Sequence, residues 1–224
     1  MAKITKKVLG NPNNKVGDIV FSKFRNMTTA RAYQPIVANP RTSAQRVQRT
    51  HLLAMSKLAK VFSSALYIGF KEAVNGTKWS PRNRFSKVNW GCIAALADGE
   101  YTITQTDLQV SEGTFIEPIT TQLSFDDPNE VAITLRPTAY TSQGVQATDV
   151  SVKLVYWCPD INKIHIETAG GEAASHTWTV FQEWEGQKIY VYAFSIYNGD
   201  NVPEYGYTKG MRSATTYVGS GNIS

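Results

Sequence analysis

Cysteine and histidine are scarce in this sequence of 224 residues, with two and three copies respectively. Two cysteines cannot form the multi-bridge framework of a small secreted domain, so we expect a packed hydrophobic core and a reducing compartment. Cys92 and Cys158 lie on apolar stripes, where a packed thiol is more common than a nucleophile. His51, His165 and His176 lack the spacing of metal ligands. The sequence predicts no metal site and no cofactor.

Long apolar runs and the common catalytic motifs are also missing. The longest apolar stretches, near residues 61–70 and 188–197, contain polar residues and are shorter than the roughly 20 apolar residues that span a bilayer. The first residues, MAKITKK, do not resemble a secretory signal. Neither a glycine-rich phosphate loop nor a G-x-S-x-G elbow occurs. We therefore predict a protein that is not an enzyme, has no small-molecule substrate and does not enter a membrane.

Acidic residues are nearly absent from the first 90 positions. There, 17 Lys or Arg residues accompany only Asp18 and Glu72, a net charge of +15, whereas residues 91–224 hold 6 basic and 16 acidic residues, a net charge of −10. A basic segment alone would predict contacts with nucleic-acid phosphates, but the acidic remainder would repel DNA. Opposite charges on two parts of one chain favour head-to-tail association of copies. The alternative is that the charges only keep two surfaces solvated.

The basic N-terminal segment, residues 1–41, is predicted to be an arm. Residues 15–34 read as two short strands around a polar turn. Alternation along the first strand places Val16, Val20 and Phe24 on one side and Ile19 and Phe21 on the other. Both faces need cover, and an isolated hairpin is marginal in water. We expect the arm to lie on its own body or to add to a neighbouring subunit.

Residues 42–98 are predicted to be a helical segment with two α-helices. Thr42 and Gln45 form the capping pattern that begins the first helix, which should end near residue 68. Its apolar stripe consists of Val47, Ala54, Leu58, Val61, Phe62 and Ala65. Ser80 and Pro81 begin the second helix. Its stripe consists of Phe85, Val88, Cys92, Ile93 and Leu96.

Residues 99–224 are predicted to form an immunoglobulin-like β-sandwich, which makes the chain mostly β with a helical N-terminal region. Short runs rich in Thr, Val, Ile and aromatic residues alternate with turn residues. Strands are expected near 101–110, 120–125, 130–136, 149–158, 162–168, 176–184, 187–197 and 211–218. Residues 188–197 are apolar on both faces, as in a central strand, and residues 155–158 are the expected neighbour.

Five tryptophans offer a second functional hypothesis. β-Sandwiches are common scaffolds for sugar-binding modules, and aromatic rings stack on sugars and bases. Trp178 and Trp184 would then be the stacking residues of a carbohydrate-binding or host-attachment module. Alternating aromatic residues in strands are more often core residues, so this hypothesis is the alternative.

The order of these features resembles a known group of viral proteins. The stretch 39–49, NPRTSAQRVQR, opens the first helix, and Ser80-Pro81 opens the second before the sandwich begins. This layout is similar to an uncharacterised family of Bacteroidota and their phages, and to tail ring proteins of crAss-like bacteriophages. Those viruses are short-tailed, and their tail barrel consists of stacked rings of related subunits. The resemblance implies no catalysis and no cofactor.

We therefore expect a virion structural protein, a subunit of an oligomeric ring in the phage tail or head–tail region that forms part of the DNA ejection channel. Its expected partners are copies of itself, other tail or connector ring proteins and, through passive contact, phage DNA. It would reside in the virion, and in the host cytoplasm during assembly. The predicted interface residues are Val16, Ile19, Val20, Phe21, Phe24, Arg25, Arg31, Arg46 and Arg49.

Overall fold

The structure, a computed structural model, describes residues 2–4, 14–24, 27–36, 41–96, 99–125, 130–202 and 204–223. The chain divides into two compact units, Met1–Thr42 and Ser43–Ser224, called here the arm and the body. The described residues are mostly β, with helices near the start of the body. Two antiparallel sheets of the body face each other over a hydrophobic core, as in immunoglobulin-like sandwiches. The predicted fold class is confirmed.

The arm is an antiparallel sheet with the strand order β1-β4-β3-β2. Its strands are β1 (Ala2–Ile4), β2 (Asn14–Val16), β3 (Ile19–Phe24) and β4 (Met27–Ala32). The predicted hairpin corresponds to β3 and β4, but the prediction of one strand across residues 15–24 is wrong. Gly17 has φ 58° and occupies the first position of a two-residue turn, where glycine reverses the chain without steric cost.

The helical part of the body begins with two helices that meet at a sharp bend. Helix α1 spans Ser43–Val61, and α2 spans Ser63–Gly69. Within the described ranges no single helix is long and apolar enough to cross a membrane. Helices α1 and α2 satisfy these criteria only when taken together, and they are bent by 77°. The predicted first helix is therefore present but broken at Phe62.

The second predicted helix is shorter than expected. Helix α3 spans Pro81–Val88, and the Ser80 hydroxyl caps it by accepting a bond from the Asn83 amide. The predicted extension to residue 98 is wrong, because the Asn89 side chain binds the backbone of Gln109 through both its oxygen (2.7 Å) and its nitrogen (2.8 Å). After one 3₁₀ turn the chain enters strand β5 (Ile93–Ala95), which pairs with β6 (Tyr101–Ile103).

The remaining strands form the sandwich. The larger sheet has the order β10-β9-β12-β13, and the smaller sheet has the order β11-β8-β7. These strands are β7 (Thr120–Ser124), β8 (Glu130–Leu135), β9 (Val150–Cys158), β10 (Lys163–Gly170), β11 (Ser175–Thr179), β12 (Lys188–Tyr197) and β13 (Thr216–Asn222). A short helix, α4 (Thr138–Thr141), follows β8. The strands predicted at 120–125, 130–136, 149–158, 162–168 and 187–197 agree with these bounds to within two residues. The other three predictions are partly wrong, because β6 ends at Ile103, β11 ends at Thr179 before a 3₁₀ turn, and β13 lies at Thr216–Asn222 and not at 211–218.

Both faces of the larger sheet are covered. One face packs on the smaller sheet through residues such as Val131, Leu154 and Val191. The opposite face packs under the helices, where Phe62 meets Trp157 with ring centroids 5.3 Å apart. This double cover explains why β12 is apolar on both sides. The helices and the sandwich share this second cluster, and the predicted boundary near residue 99 runs through it.

Candidate subunit interface

One face of the arm sheet is apolar. Directly paired residues of an antiparallel sheet lie on the same face. Val16 pairs with Ile19, and Ile19 pairs with Ala32, as Phe21 does with Ala30. These five residues define the apolar face. The prediction that Val16 shares a side with Val20 is wrong, because the turn after Val16 folds β2 back beside β3.

The other face of the arm sheet is polar and basic. Lys15, Val20 and Arg31 are directly paired across β2, β3 and β4. On the same side, the hydroxyls of Ser22 and Thr29 lie 2.8 Å apart. The Lys15 ammonium lies 3.5 Å from the centroid of the Tyr33 ring, a cation–π contact. Lys15 and Arg31 therefore lie on the face opposite Val16, Ile19 and Phe21, with Val20 between them.

The arm has no core of its own among the side chains that the structure describes. None of those in residues 14–22 and 28–36 is buried. The Val16 side chain is 61% exposed and that of Ile19 is 46% exposed. Burial of an aliphatic side chain of this size stabilises a protein by about 1.5–3 kcal/mol. Because both residues are still about half exposed, a substantial part of this stabilisation is unused in the described structure.

The structure divides the predicted interface residues into groups. Val16, Ile19 and Phe21 share the apolar face, whereas Val20 and Arg31 lie on the basic face.

Three further groups complete the set. The backbone of Phe24 ends β3, but its side chain is outside the described part of the chain, and Arg25 is outside it altogether. Arg46 and Arg49 belong to the body, on the exposed surface of α1.

Some of the opposite charges that the sequence separates are paired within the body. The Arg84 guanidinium forms an ion pair with Glu112, whose hydrogen bond raises the pKa of Arg84. The backbone amide of Arg212 donates to the Glu72 carboxylate at 2.7 Å. Burial lowers the pKa of the Arg212 guanidinium, which donates to the Ile68 carbonyl at 2.5 Å. These partners are 28 to 144 residues apart, so no local pattern could reveal them.

The tryptophans proposed for sugar stacking are core residues. Trp178 is 4% exposed and Trp184 is 1% exposed, and their rings meet edge to face at 5.3 Å. Neither ring has a free face for a sugar. Trp79 and Trp90 are more exposed, but the first lies under the Lys87 ammonium and the second stacks on His51 at 3.9 Å.

The two cysteines are packed in the core, and His165 contacts a carboxylate. Cys92 and Cys158 are buried free thiols, as predicted for core residues. Burial raises the pKa of Cys92, and the nearby Asp107 carboxylate raises it further. His165 lies 2.6 Å from Glu167 and stacks on Trp178. Over the described ranges, no three His, Cys, Asp or Glu side chains come close enough to hold a metal ion.

Comparisons with known proteins identify a family, and the function of that family is unknown. No curated protein matches this chain. Among solved structures, the fibronectin type III domain of the human collagen alpha-1(XX) chain is similar, with 16% sequence identity and a TM-score of 0.35. That match covers 51% of this chain and 89% of the collagen domain. A family model matches residues 7–208, and the chain therefore belongs to the family of unknown function DUF6266.

Proposed function

We propose that this protein is a virion structural protein that assembles into an oligomeric ring in the tail or head–tail region of a bacteriophage. The ring would line part of the DNA ejection channel. The phage assignment rests on the sequence resemblance described above. The assembly role rests on one observation, the unburied apolar face of the arm, which carries Val16, Ile19 and Phe21.

The described side chains of the arm are all unburied. An arm of this kind gains stability when a partner covers its apolar face. Burial of the parts of Val16, Ile19 and Phe21 that remain exposed would contribute a few kcal/mol in total, because full burial is worth about 1.5–3 kcal/mol for each side chain. The free-energy cost of association offsets part of this gain. In a ring, the same contact repeats between every pair of neighbouring copies. A heterologous contact between copies closes into a ring when its rotation permits.

The arm and the sandwich region carry opposite net charges. Residues 1–42 contain eight Lys or Arg residues and one acidic residue, a net charge of +7. The sandwich region that follows residue 90 has a net charge of −10. Attraction between the arm of one copy and the sandwich of the next would orient the contact and accelerate it. Arg46, Arg49 and Lys60 on the exposed side of α1 offer positive charge for passive contact with DNA phosphates.

The experiment compares substitutions on the two faces of the arm. In the full chain, Ile19→Asp with Phe21→Asp places two charges on the apolar face. The matched control, Val20→Asp with Ser22→Asp, places the same two charges on the basic face of the same strand. Size-exclusion chromatography with light scattering gives the mass of each variant, and negative-stain electron microscopy shows whether the full chain forms rings.

We expect the first variant to be monomeric and the control to remain oligomeric. Circular dichroism should show the same folded body in both variants. A full chain that stays monomeric at all concentrations would contradict the proposal. So would a chain beginning at Ser43 that forms the same oligomer as the full chain.

A further inference from the structure

The two sheets of the sandwich end in four edge strands that differ in how well they are protected. Edge strands expose unpaired backbone groups, and proteins usually protect them with bulges, charged side chains or proline. The β7 edge is irregular between Thr120 and Gln122, and the pairing of β12 with the β13 edge shifts after Val191. The β10 edge carries Lys163 and Glu167. Each of these three edges has a protecting feature.

Strand β11 lacks all of these features. Its sequence, SHTWT, contains no charged residue and no proline. Its pairing with β8 runs without a register shift from Ser175 to Thr179. Within the described part of the chain, β11 is therefore the edge of the sandwich that is best suited to accept another strand.

The hydrogen-bond pattern shows which groups of β11 face outward. The Leu135 amide donates to the Ala174 carbonyl at 2.9 Å. Because bonded and non-bonded pairs alternate in an antiparallel ladder, the amides and carbonyls of Ser175, Thr177 and Thr179 point away from β8. These outward groups have no hydrogen-bond partner among the described residues. All three side chains are exposed.

The surroundings of this edge favour a basic, partly apolar strand. Glu172 precedes β11, and Glu130 lies opposite Thr179 at its other end. Both carboxylates are exposed, and neither has an ion pair within the described ranges. Phe181, which follows the strand, is 47% exposed and packs edge to face on Trp178 at 5.7 Å. The edge thus combines free backbone groups with negative charge and an exposed aromatic ring.

We propose that β11 accepts strand β2 from the arm of a second copy, which would create one continuous sheet across two subunits. This inference rests on the proposed function and names the surface that receives the arm. Val16 and Ile19 flank a two-residue turn and form its bonded pair, so the backbone groups of Lys15 point away from β3. Lys15 brings positive charge to the carboxylates at the edge, and Val16 brings an apolar side chain to Phe181.

A cross-linking experiment tests the position. Full-length chains with Lys15→Cys and full-length chains with Thr177→Cys, distinguishable by a size tag, are mixed, allowed to assemble and oxidised. The control uses Thr121→Cys, an exposed position on the β7 edge. Both native cysteines are buried and should not interfere. We expect a disulfide between the Lys15→Cys and Thr177→Cys chains and little with the Thr121→Cys chain, since disulfides need Cα atoms within about 7 Å.

A proline substitution tests the backbone pairing. Thr177→Pro removes an amide that faces outward, whereas Thr177→Val keeps this amide at nearly the same side-chain volume. We expect the proline to raise the midpoint concentration of assembly by about tenfold or more, and the valine to leave it unchanged. Hydrogen exchange of a peptide covering residues 174–180 should slow when the full chain assembles.

The outcomes separate this inference from the proposed function. If the apolar-face variant abolishes assembly but Thr177→Pro does not, and the cross-link fails, β11 is not the acceptor and the proposed function stands. If a disulfide forms only within a single chain that carries both substitutions, the acceptor belongs to the same copy and the inference is wrong. If Thr177→Pro alters the melting curve, it affects folding as well as assembly, and the presence or absence of the cross-link then determines whether β11 is the acceptor.

Discussion

The arm and the body both contain antiparallel strands with apolar residues on them, but in the described residues only the body covers them. In the body, Trp157 on the larger sheet is buried under the helices, and its neighbour Tyr156 is buried against the smaller sheet. In the arm, Val16 and Ile19 remain exposed. The strand patterns are alike, so the difference lies in whether the same unit supplies a covering layer. In the described residues, the body therefore supplies its own covering layer and the arm does not.

Removal of the helices that cover the larger sheet tests whether the body depends on its own covering layer. A chain beginning at Ser43 should retain one cooperative unfolding transition close to that of the full chain. A chain beginning at residue 99 loses the helices and exposes Trp157, Tyr192 and Phe194. We expect this shorter chain to bind a hydrophobic dye and to melt without cooperativity, as followed by circular dichroism. A sharp transition in the shorter chain would mean that the helices are dispensable.

A single side chain in each region gives a smaller effect. Phe62 is fully buried at the bend between α1 and α2, and its ring lies 6.1 Å from that of Phe85. Phe62→Ala should reduce the free energy of unfolding by about 3–5 kcal/mol. Phe21→Ala in the arm should change the stability of the monomer by less than about 1 kcal/mol. Urea unfolding at low protein concentration measures both, and equal losses would contradict the comparison.

Buried tyrosines give the smallest effect and add a pH dependence. Burial raises the pKa values of Tyr156 and Tyr192. The folded pKa exceeds the unfolded one, so their contribution is fully present below about pH 10 and is lost above it, by about 1.4 kcal/mol per pH unit for each group. The Tyr156 hydroxyl has no hydrogen-bond partner among the described residues. Tyr156→Phe should therefore raise stability at neutral pH by about 1 kcal/mol and reduce the alkaline loss.

Tyr192 serves as the matched control for that substitution. Its hydroxyl donates to the Gln105 carbonyl at 2.9 Å. Tyr192→Phe should also reduce the alkaline loss, but it should lower stability at neutral pH by about 1 kcal/mol because that bond is lost. Chemical unfolding at pH 7 and at several values above pH 10 distinguishes the two variants. The same neutral-pH change in both would show that the hydroxyl bonds do not matter.

Much of the fold could be predicted from local patterns. Alternating β-branched and aromatic residues located β7 to β10 and β12 to within two residues, and the apolar character of β12 on both faces indicated a central strand. The Ser80-Pro81 signal placed the start of α3 correctly. The exposure of apolar arm residues was expected from the absence of a local covering element. These features depend on periods of two and 3.6 residues and on capping, which a sequence shows directly.

Other features depend on contacts that no window of sequence contains. The end of α3 is set by the binding of Asn89 to Gln109, 20 residues later. The faces of the arm depend on a two-residue turn at Gly17, without which Val16 would lie on the other side. The position of β11 at the edge of its sheet follows from the strand order, and the sequence of a strand does not show whether it is central or peripheral. Register and neighbours are tertiary properties, so they had to come from the structure.

The long-range bonds of the body have a consequence for the order of events during synthesis. Thr215 accepts a bond from Val110, 105 residues earlier, and Arg212 reaches Ile68 across 144 residues. The body therefore cannot close until residues beyond 212 leave the ribosome, whereas the arm is made first. At a synthesis rate of about 5–20 residues per second, roughly 10–35 s pass between synthesis of the arm and completion of the body. Under the proposed function, the nascent chain would display its recruiting segment during that interval, and assembly would begin on polysomes.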